Sequence, residues 1–165
     1  MKKIIILIPV FNDWASLIKL LLEINYAIQD IENYEFSCIV VNDSSNIQQP
    51  KISKPSKIKS IKIINMKNNR GHARCNAFGI RYINSNELFE HVILMDGDGE
   101  DRPIEIKDLI SKISRDPDTS VVAKRIQRSE GPIFQLTYQI HKIITYLFTG
   151  KNINFGNYSC LTKKD

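Results

Sequence analysis

The sequence predicts an α/β fold, with an open, mainly parallel β-sheet flanked by helices. Short apolar runs alternate along the chain with longer segments whose apolar residues recur at helical spacing. Each of the first four apolar runs ends in polar or charged residues, as expected where the carboxyl ends of parallel strands meet at a ligand crevice. We expect residues 1–165 to form a single domain, because this length can bury a substantial core.

The composition is that of a folded, soluble protein, with 42% hydrophobic and 25% charged residues. A formal net charge of +5 favours an anionic partner, although a generally basic surface would give the same value. The three cysteines lack the spacing of a zinc site or a disulfide framework. They indicate a reducing, cytosolic setting.

The first strand is predicted within the apolar run of residues 4–10. This run superficially resembles a signal sequence because two lysines precede it. The apolar run is too short for that and lacks a small-residue cleavage pattern, which favours a buried strand. Pro9 is expected to end this strand, and Asp13 to cap the next helix. Helical spacing predicts the buried residues of that helix: Trp14, Leu17, Leu21, Ile24 and Ile28.

Two further strands are predicted over residues 36–41 and 60–66, on either side of a surface loop with two prolines and several lysines. A carboxylate, Asp43, follows the first of them. After the second, a glycine turn opens a helix whose apolar residues lie on or near one face: Ala73, Ala77, Ile80 and Ile83.

The start of that helix is a candidate phosphate site formed by Arg70, Gly71 and Arg74. Backbone N–H groups and the positive end of the helix dipole point outward at such a position, where they favour anions. The alternative is that both arginines are simply solvated.

The stretch over residues 91–103 is the most informative, because an apolar run breaks there into a cluster of carboxylates. Residues 92–95 suit a strand covered on both faces, and two glycines let the backbone turn tightly after it. Asp96 and Asp98 can both approach a Mg²⁺ or Mn²⁺ ion that keeps its other positions for water and phosphate oxygens. An acidic, solvated turn is the alternative.

The rest of the chain continues the alternation of helix and strand. The predicted segments are an amphipathic helix from Pro103 to about residue 115, a strand over residues 120–123, a basic turn, a strongly apolar helix over residues 133–148, and a terminal strand over residues 156–161. Polar residues interrupt the 133–148 helix, so a membrane span is not predicted. The sequence lacks a Gly-Lys-Ser/Thr motif, and no Gly-x-Gly-x-x-Gly follows the first strand. These features exclude an ordinary P-loop NTPase and count against a dinucleotide oxidoreductase.

Four motifs resemble, in order and approximate spacing, those of family 2 glycosyltransferases with the GT-A (Rossmann-like) fold. They are PVFND at residues 9–13, VVNDSS at 40–45, NRGHARCN at 69–76 and MDGDGEDRP at 95–103. The later part, with VVAKRIQR at 121–128 and FTGKNINFGNYS at 148–159, is similar to the polyprenyl-phosphate branch that includes dolichyl-phosphate mannosyltransferase. The chain differs from this pattern at Asn157, where an acid is common, and at Arg102, where a proline is common.

The resemblance implies a binding role for the first three motifs. Asp43 would accept a hydrogen bond from the base of the donor, and Pro9 and Asn12 would line the nucleotide pocket. Arg70, Gly71 and Arg74 complete the candidate substrate-binding residues.

The resemblance also implies which residues are candidates for catalysis. Asp96 would lie near the ribose and the sugar, Asp98 would bind the divalent cation that bridges the diphosphate, and Asp101 would help to hold the loop or the sugar. Arg125 and Arg128 would face the diphosphate or the phosphate of the acceptor.

The implied activity is inverting transfer of a sugar from a UDP- or GDP-sugar to a polyprenyl phosphate, at the cytoplasmic face of a membrane. One alternative is the same fold acting on a saccharide or other hydroxyl, and another is a non-catalytic nucleotide-sugar binding domain. Nucleic acid is not an expected partner. Many relatives continue into further carboxyl-terminal segments, so we expect either a compact member or a fragment.

Overall fold

The structure, a computed structural model, describes residues 1–124 and 155–164 and is built on one six-stranded sheet. The strands are β1 (Lys2–Val10), β2 (Tyr34–Asn42), β3 (Ile58–Asn65), β4 (His91–Leu94), β5 (Val121–Lys124) and β6 (Phe155–Thr162). Their order across the sheet is β3-β2-β1-β4-β6-β5. The first four strands are mutually parallel, whereas β6 is antiparallel to both of its neighbours. This mostly parallel sheet confirms the predicted fold class.

Strand β1 lies at the centre and continues through Pro9, contrary to the prediction that proline ends it. Pro9 pairs with Val41 of β2. Its nitrogen faces the β4 side of the sheet, where pairing with β1 stops at Leu7 and Leu94. A proline is tolerated here because its missing N–H removes no ladder hydrogen bond.

Helices cover the two faces of the sheet and bury alternate residues of β1. Ile4, Ile6 and Ile8 belong to a core cluster with helices α1 (Trp14–Ala27) and α3 (Ile106–Arg115). Ile5 and Leu7 belong to a second cluster with helix α2 (His72–Asn86). This division explains why β1 is apolar at consecutive positions rather than at alternate ones.

Helix α1 confirms the prediction made from its spacing. The side chain of Asp13 accepts a hydrogen bond from the backbone N–H of Ser16 at 3.1 Å, which is an N-cap. All five residues predicted to be buried lie in the core: Trp14, Leu17, Leu21, Ile24 and Ile28.

Helix α2 confirms only part of its predicted buried face: Ile83 is buried and Ile80 is partly buried against the same core cluster. Its buried residues are Cys75, Gly79 and Ile83, whereas Ala73 and Ala77 are exposed. The reason is close packing at Gly79, where an added Cβ would lie 2.4 Å from Leu7 Cδ1. A residue without a side chain lets the helix approach the sheet, and this contact selects the buried face.

The segment after the acidic loop begins with a short 3-10 turn, Pro103–Glu105, before α3. The buried face of this segment, predicted only as an amphipathic helix, consists of Ile106, Leu109, Ile110 and Ile113. Ile104 is an exception: it lies in the 3-10 turn and is 44% exposed.

Strand β6 confirms the predicted terminal strand and lies between β4 and β5. The predicted basic turn with Arg125 and Arg128 and the predicted helix over residues 133–148 lie outside the described residues. Among the helices of residues 1–124 and 155–164, none combines the length and the apolar character needed to cross a bilayer.

Two leucines on α1 test the assignment of its buried face. Leu20 is 1% exposed, whereas Leu22 is 59% exposed. We expect Leu20→Ala to lower the free energy of unfolding by about 2–5 kcal/mol, because it leaves a cavity in the core. Leu22→Ala, the matched control, should change it by less than about 0.5 kcal/mol. Urea denaturation followed by circular dichroism measures both, and equal losses would contradict the assignment.

Candidate active site

The carboxyl ends of β1, β2, β3 and β4 lie at one edge of the sheet, because these four strands are parallel. The sequence-predicted residues of the described part of the chain lie in the loops that follow these strands, at the end of β1 (Pro9) and in the first turn of α2 (Arg74). The amino end of β6 lies at the same edge, since β6 is antiparallel to β4 and its Ser159 pairs with Leu94. The site is therefore formed by four loops and the start of one strand.

Asn12, just after β1, holds the loop that follows β2. Its backbone N–H donates to Ser45 Oγ at 2.8 Å. Its side-chain Oδ1 accepts from the N–H groups of Asn46 and Ile47 at 2.9 and 3.2 Å. Asn12 has a positive φ of 56°, a conformation that asparagine tolerates better than most residues. The structure thus assigns the Asn12 side chain to loop support, and its contact with a nucleotide stays a prediction.

Asp43 is a buried carboxylate, 4% exposed, that binds the turn before α2. Its Oδ1 accepts from the N–H of Arg70 at 2.7 Å, and its Oδ2 accepts from the N–H of Gly71 at 2.8 Å. These charge-assisted bonds stabilise a charge that would be costly to bury alone. Recognition of the base by Asp43 stays a prediction, because a carboxylate oxygen can accept a second hydrogen bond.

Cys75 contributes to the same buried region. Burial, together with a hydrogen bond with Asp43 and the negative charge of Asp43, raises the pKa of the Cys75 thiol to about 12. Cys75 Sγ donates to Met66 Sδ at 3.3 Å. The thiol is therefore protonated at neutral pH. Sequence reasoning gave no role to this cysteine.

The predicted phosphate site at the start of α2 is only partly as expected. The backbone N–H groups of Arg70 and Gly71 are bound to Asp43 rather than pointing outward. Gly71 has a φ of 83°, which glycine adopts without strain. The side chains of Arg70 and Arg74 are exposed. Contact with an anion would therefore fall to the arginine side chains more than to these two amides.

The acidic loop after β4 is held by its own carboxylates. Asp101 Oδ2 accepts from the backbone N–H of Asp96 at 2.8 Å, and Asp98 Oδ1 accepts from the N–H of Glu100 at 2.9 Å. Asp96 and Asp101 are half-buried, whereas Asp98 is exposed. Asp101 thus holds the loop, as one of its two implied roles requires.

Gly97 brings the acidic loop directly against β1. A Cβ at this position would lie 2.8 Å from the backbone oxygen of Pro9, which is closer than real Cβ atoms approach. The loop therefore packs on the backbone of Pro9, and contact of Pro9 with a nucleotide stays a prediction.

His72, the first residue of α2, is a contact that sequence reasoning missed. Its Nε2 lies 3.1 Å from Asp96 Oδ1, 2.9 Å from Asn76 Nδ2 and 2.7 Å from Asn157 Nδ2. The available signal was its position in the NRGHARCN motif, next to Gly71. His72 connects the turn bound by Asp43 to the acidic loop.

Tyr158 supports the acidic loop from β6. Its hydroxyl donates to the backbone oxygen of Arg102 at 3.3 Å. Burial raises the pKa of the Tyr158 hydroxyl, and the nearby Asp101 carboxylate raises it further. The hydroxyl therefore stays a hydrogen-bond donor at all physiological pH values.

An open groove adjoins the acidic loop on the α1 side. Its volume is about 500 Å³. Three of its apolar residues, Leu22, Tyr26 and Ile104, are strongly exposed. The groove is also lined by Glu23, Ala27, Gly99, Arg102 and Pro103. Gly99 and Arg102 belong to the acidic loop, so this loop forms part of the groove wall.

The described residues contain no group of three His, Cys, Asp or Glu side chains arranged to hold a metal ion. They do offer Asp98 and Asp96 in one loop, with hard carboxylate oxygens of the kind that Mg²⁺ and Mn²⁺ prefer. A cation there would need ligands beyond those that the described residues offer to complete its shell.

A family model described as glycosyl transferase family 2 matches residues 5–163. The chain belongs to this family. A curated relative, an uncharacterized protein of Methanocaldococcus jannaschii, is 28% identical over 113 residues, which are 66% of this chain and 46% of that protein. The chain therefore spans less than half the length of that relative.

Two solved structures of glycosyltransferases share the fold of this family 2 chain. Glucosyl-3-phosphoglycerate synthase from Mycobacterium tuberculosis, in complex with Mn²⁺, UDP-glucose and phosphoglyceric acid, gives a TM-score of 0.66 at 11% identity. The match covers 99% of this chain and 57% of the synthase. S. aureus TarS, residues 1–349 in complex with UDP-GlcNAc, gives a TM-score of 0.55 at 22% identity, covering 79% of this chain and 36% of TarS.

Replacing Asp43 tests whether its carboxylate holds the turn before α2. In Asp43→Asn an amide nitrogen would face one of the two backbone N–H groups, so one buried donor would lose its acceptor. We expect the free energy of unfolding to fall by about 1–3 kcal/mol without any nucleotide present. The control is Asp30→Asn, which removes an exposed ion pair with Lys107 and should cost less than about 1 kcal/mol. Equal stability of parent and Asp43→Asn in urea denaturation would contradict the contact.

Proposed function

We propose that this chain is the donor-binding and catalytic domain of an inverting glycosyltransferase that moves a sugar from a UDP- or GDP-sugar to a polyprenyl phosphate. The main support is that the carboxylates of Asp43 and Asp96 are joined by contacts through one turn, in a chain that belongs to family 2. Asp43 binds the Gly71 turn, and the next residue, His72, contacts Asp96. The turn thus ties together the parts of the site that would bind the nucleotide and the sugar.

On the donor side, the base would bind beside Asp43, with Pro9 and Asn12 along the pocket. Arg70 and Arg74 are exposed at the same edge of the sheet and have guanidinium groups suited to diphosphate oxygens. The two structural neighbours carry UDP-glucose and UDP-GlcNAc. UDP-sugars are therefore the first donors to test, followed by GDP-sugars.

Asp98 and Asp96 fit a Mg²⁺ or Mn²⁺ ion that is shared with the diphosphate. Two carboxylates in one loop supply hard oxygen ligands, and a diphosphate and water would supply the others. Asp98 is the better candidate because it is exposed, whereas Asp96 is half-buried against His72. When bound, such an ion neutralises charge on the departing nucleoside diphosphate.

The proposed reaction is a displacement at the anomeric carbon. An oxygen of the acceptor phosphate forms a bond to that carbon while the bond to the diphosphate breaks, and the electron pair leaves with the nucleoside diphosphate. The protein contributes by holding the donor and the acceptor in line. A phosphate oxygen is already ionised at neutral pH, so this acceptor requires no strong general base.

The groove beside the acidic loop supports a lipid acceptor. Leu22, Tyr26 and Ile104 offer apolar surface to an isoprenoid chain. Arg102 lines the same groove and can attract the phosphate. Arg125 and Arg128 are further predicted phosphate contacts, from outside the described residues. Peripheral contact with the cytoplasmic face of a membrane is part of this proposal.

The other functions make different predictions for the isolated chain. A non-catalytic binding domain would bind a nucleotide-sugar without hydrolysing it or transferring the sugar. An enzyme for saccharide or other hydroxyl acceptors would transfer the sugar without a lipid phosphate.

Removal of Asp98 tests the cation. We expect Asp98→Ala to raise the Kd for UDP or GDP in the presence of Mn²⁺ by at least about tenfold, because the charge of the diphosphate would be poorly neutralised. Glu100→Ala removes the same charge from the same exposed turn and should bind as the parent does. Calorimetry with and without Mn²⁺ measures both, after circular dichroism has shown that the variants are folded. Equal Mn²⁺-dependent affinity in Asp98→Ala and the parent would refute the assignment.

A charge placed in the groove tests the acceptor. Leu22→Glu should lower kcat/KM for a short-chain polyprenyl phosphate by at least about tenfold, because an isoprenoid chain bound in the groove would have to desolvate the new carboxylate. Affinity for the nucleotide should not change. Leu88→Glu, at a residue 75% exposed before β4, is the matched control and should act as the parent does. Equal transfer by the parent to a soluble hydroxyl acceptor would count against the lipid assignment.

A further inference from the structure

We propose that Asn42, the last residue of β2, is a positioning residue that holds Asp43 in place for the base of the nucleotide. The side-chain oxygen of Asn42 accepts a hydrogen bond from the backbone N–H of Ser45 at 3.0 Å. This bond closes a turn that encloses Asp43 and Ser44. As a statement about nucleotide binding, the role rests on the proposed function.

The orientation of the Asn42 amide follows from its partners. A backbone N–H can only donate, so the amide atom that faces Ser45 is the oxygen. The amide nitrogen then faces β3, where Asn42 Nδ2 donates to Asn65 Oδ1 at 2.8 Å. Asn42 and Asn65 are also register partners at the carboxyl ends of their strands. Both ends of a side chain whose residue is only 7% exposed are thus hydrogen-bonded.

The backbone conformation around this turn shows what the hydrogen bonds have to hold. Ser44 has a φ of 60° and Asn12 a φ of 56°, and no other non-glycine residue of the described chain has a positive φ. Such strained conformations persist only where the surrounding structure determines them strongly. The turn closed by Asn42 contains the first of these residues. The second donates its backbone N–H to Ser45 Oγ at 2.8 Å.

The turn closed by Asn42 sets the position of the Asp43 carboxylate. This carboxylate already accepts from the N–H groups of Arg70 and Gly71, so a base would have to use the remaining acceptor capacity of the same oxygens. On one side the Asp43 backbone is fixed by its N–H, which donates to the oxygen of Val10 at 2.9 Å. On the other side it is fixed by the turn. Opening the turn would lower the fraction of molecules ready to bind, and the apparent affinity would fall by the same factor.

Removal of the Asn42 amide tests this role with UDP or GDP, whichever the parent binds more tightly. We expect Asn42→Ala to raise the Kd for this nucleotide in the presence of Mn²⁺ by at least about tenfold, because the turn is no longer closed. The Kd for inorganic pyrophosphate with Mn²⁺ should change by less than about twofold, because this anion has no base to bind beside Asp43. Calorimetry measures both.

Tyr34→Phe is the matched control at the other end of β2. Tyr34 is also 7% exposed, and the change removes its hydrogen bond with Ser114 of 2.9 Å. This variant should bind the nucleotide and pyrophosphate as the parent does. An unchanged Kd for the nucleotide in Asn42→Ala, or equal losses for the nucleotide and pyrophosphate, would overturn the proposal.

Asn65→Ala tests the same network while keeping the buried amide. Asn65 is exposed, so its truncation leaves no cavity in the core, but Asn42 Nδ2 loses its acceptor. We expect the Kd for the nucleotide to rise about two- to tenfold, which corresponds to one hydrogen bond. In an Asn42→Ala background the same change should raise it by less than about twofold further. Asn33→Ala, at an exposed position before β2, is the control and should bind as the parent does. Independent losses that multiply in the double variant would contradict the network.

Backbone amide signals test the positioning of Asp43 without any nucleotide. Asn42→Ala should shift the ¹⁵N–¹H signals of Arg70 and Gly71, because the carboxylate that accepts from them moves, whereas Tyr34→Phe should not. Unchanged signals in Asn42→Ala would overturn the proposal. If the parent binds neither UDP nor GDP while Asn42→Ala does shift these signals, the proposed function fails and the positioning of Asp43 stands.

Discussion

The two hydrogen bonds from the Gly71 turn to the buried carboxylate of Asp43 are the constraint on which the site depends. A charge that is 4% exposed is stable only if donors surround it. The two amides provide them. The same bonds fix where α2 begins, and so they fix the position of His72 beside Asp96. Helix placement and the contact with the acidic loop are thus linked through one buried charge.

Close backbone packing is the second constraint, and it explains two glycines. Gly79 lets α2 approach Leu7 on one face of β1, and Gly97 lets the acidic loop lie against the carbonyl of Pro9. Both contacts involve the central strand. The positions of α2 and of the acidic loop are therefore set relative to the same rigid element. A site built in this way is more precise than one built on loops alone.

In the proposed function, donor and acceptor bind at different parts of the described structure. The donor would bind among the loops at the carboxyl ends of the parallel strands. The acceptor would bind in the groove on the α1 side, which has apolar walls and one arginine and is lined in part by the acidic loop. The chain spans less than half the length of a curated relative.

The sequence by itself determined the elements whose signals are local. Periodic apolar residues and an N-cap at Asp13 predicted α1, and the apolar run before Asp96 predicted a buried strand that delivers carboxylates to its end. The parallel arrangement followed from the alternation of strands and helices. Such features depend on neighbouring residues, so they can be found without knowing the tertiary structure.

The tertiary structure alone decided the contacts between distant segments. Asp43 binds a residue 28 positions away, and Asn157 reaches His72 across 85 positions. Spacing predicted that Ile83 of α2 is buried, but not that Cys75 and Gly79 are buried instead of Ala73 and Ala77, because that choice depends on which residue meets Leu7. Pro9 stays within its strand because β4 stops pairing before reaching it. In each case the partner lies far away in the sequence, and only packing brings the two together.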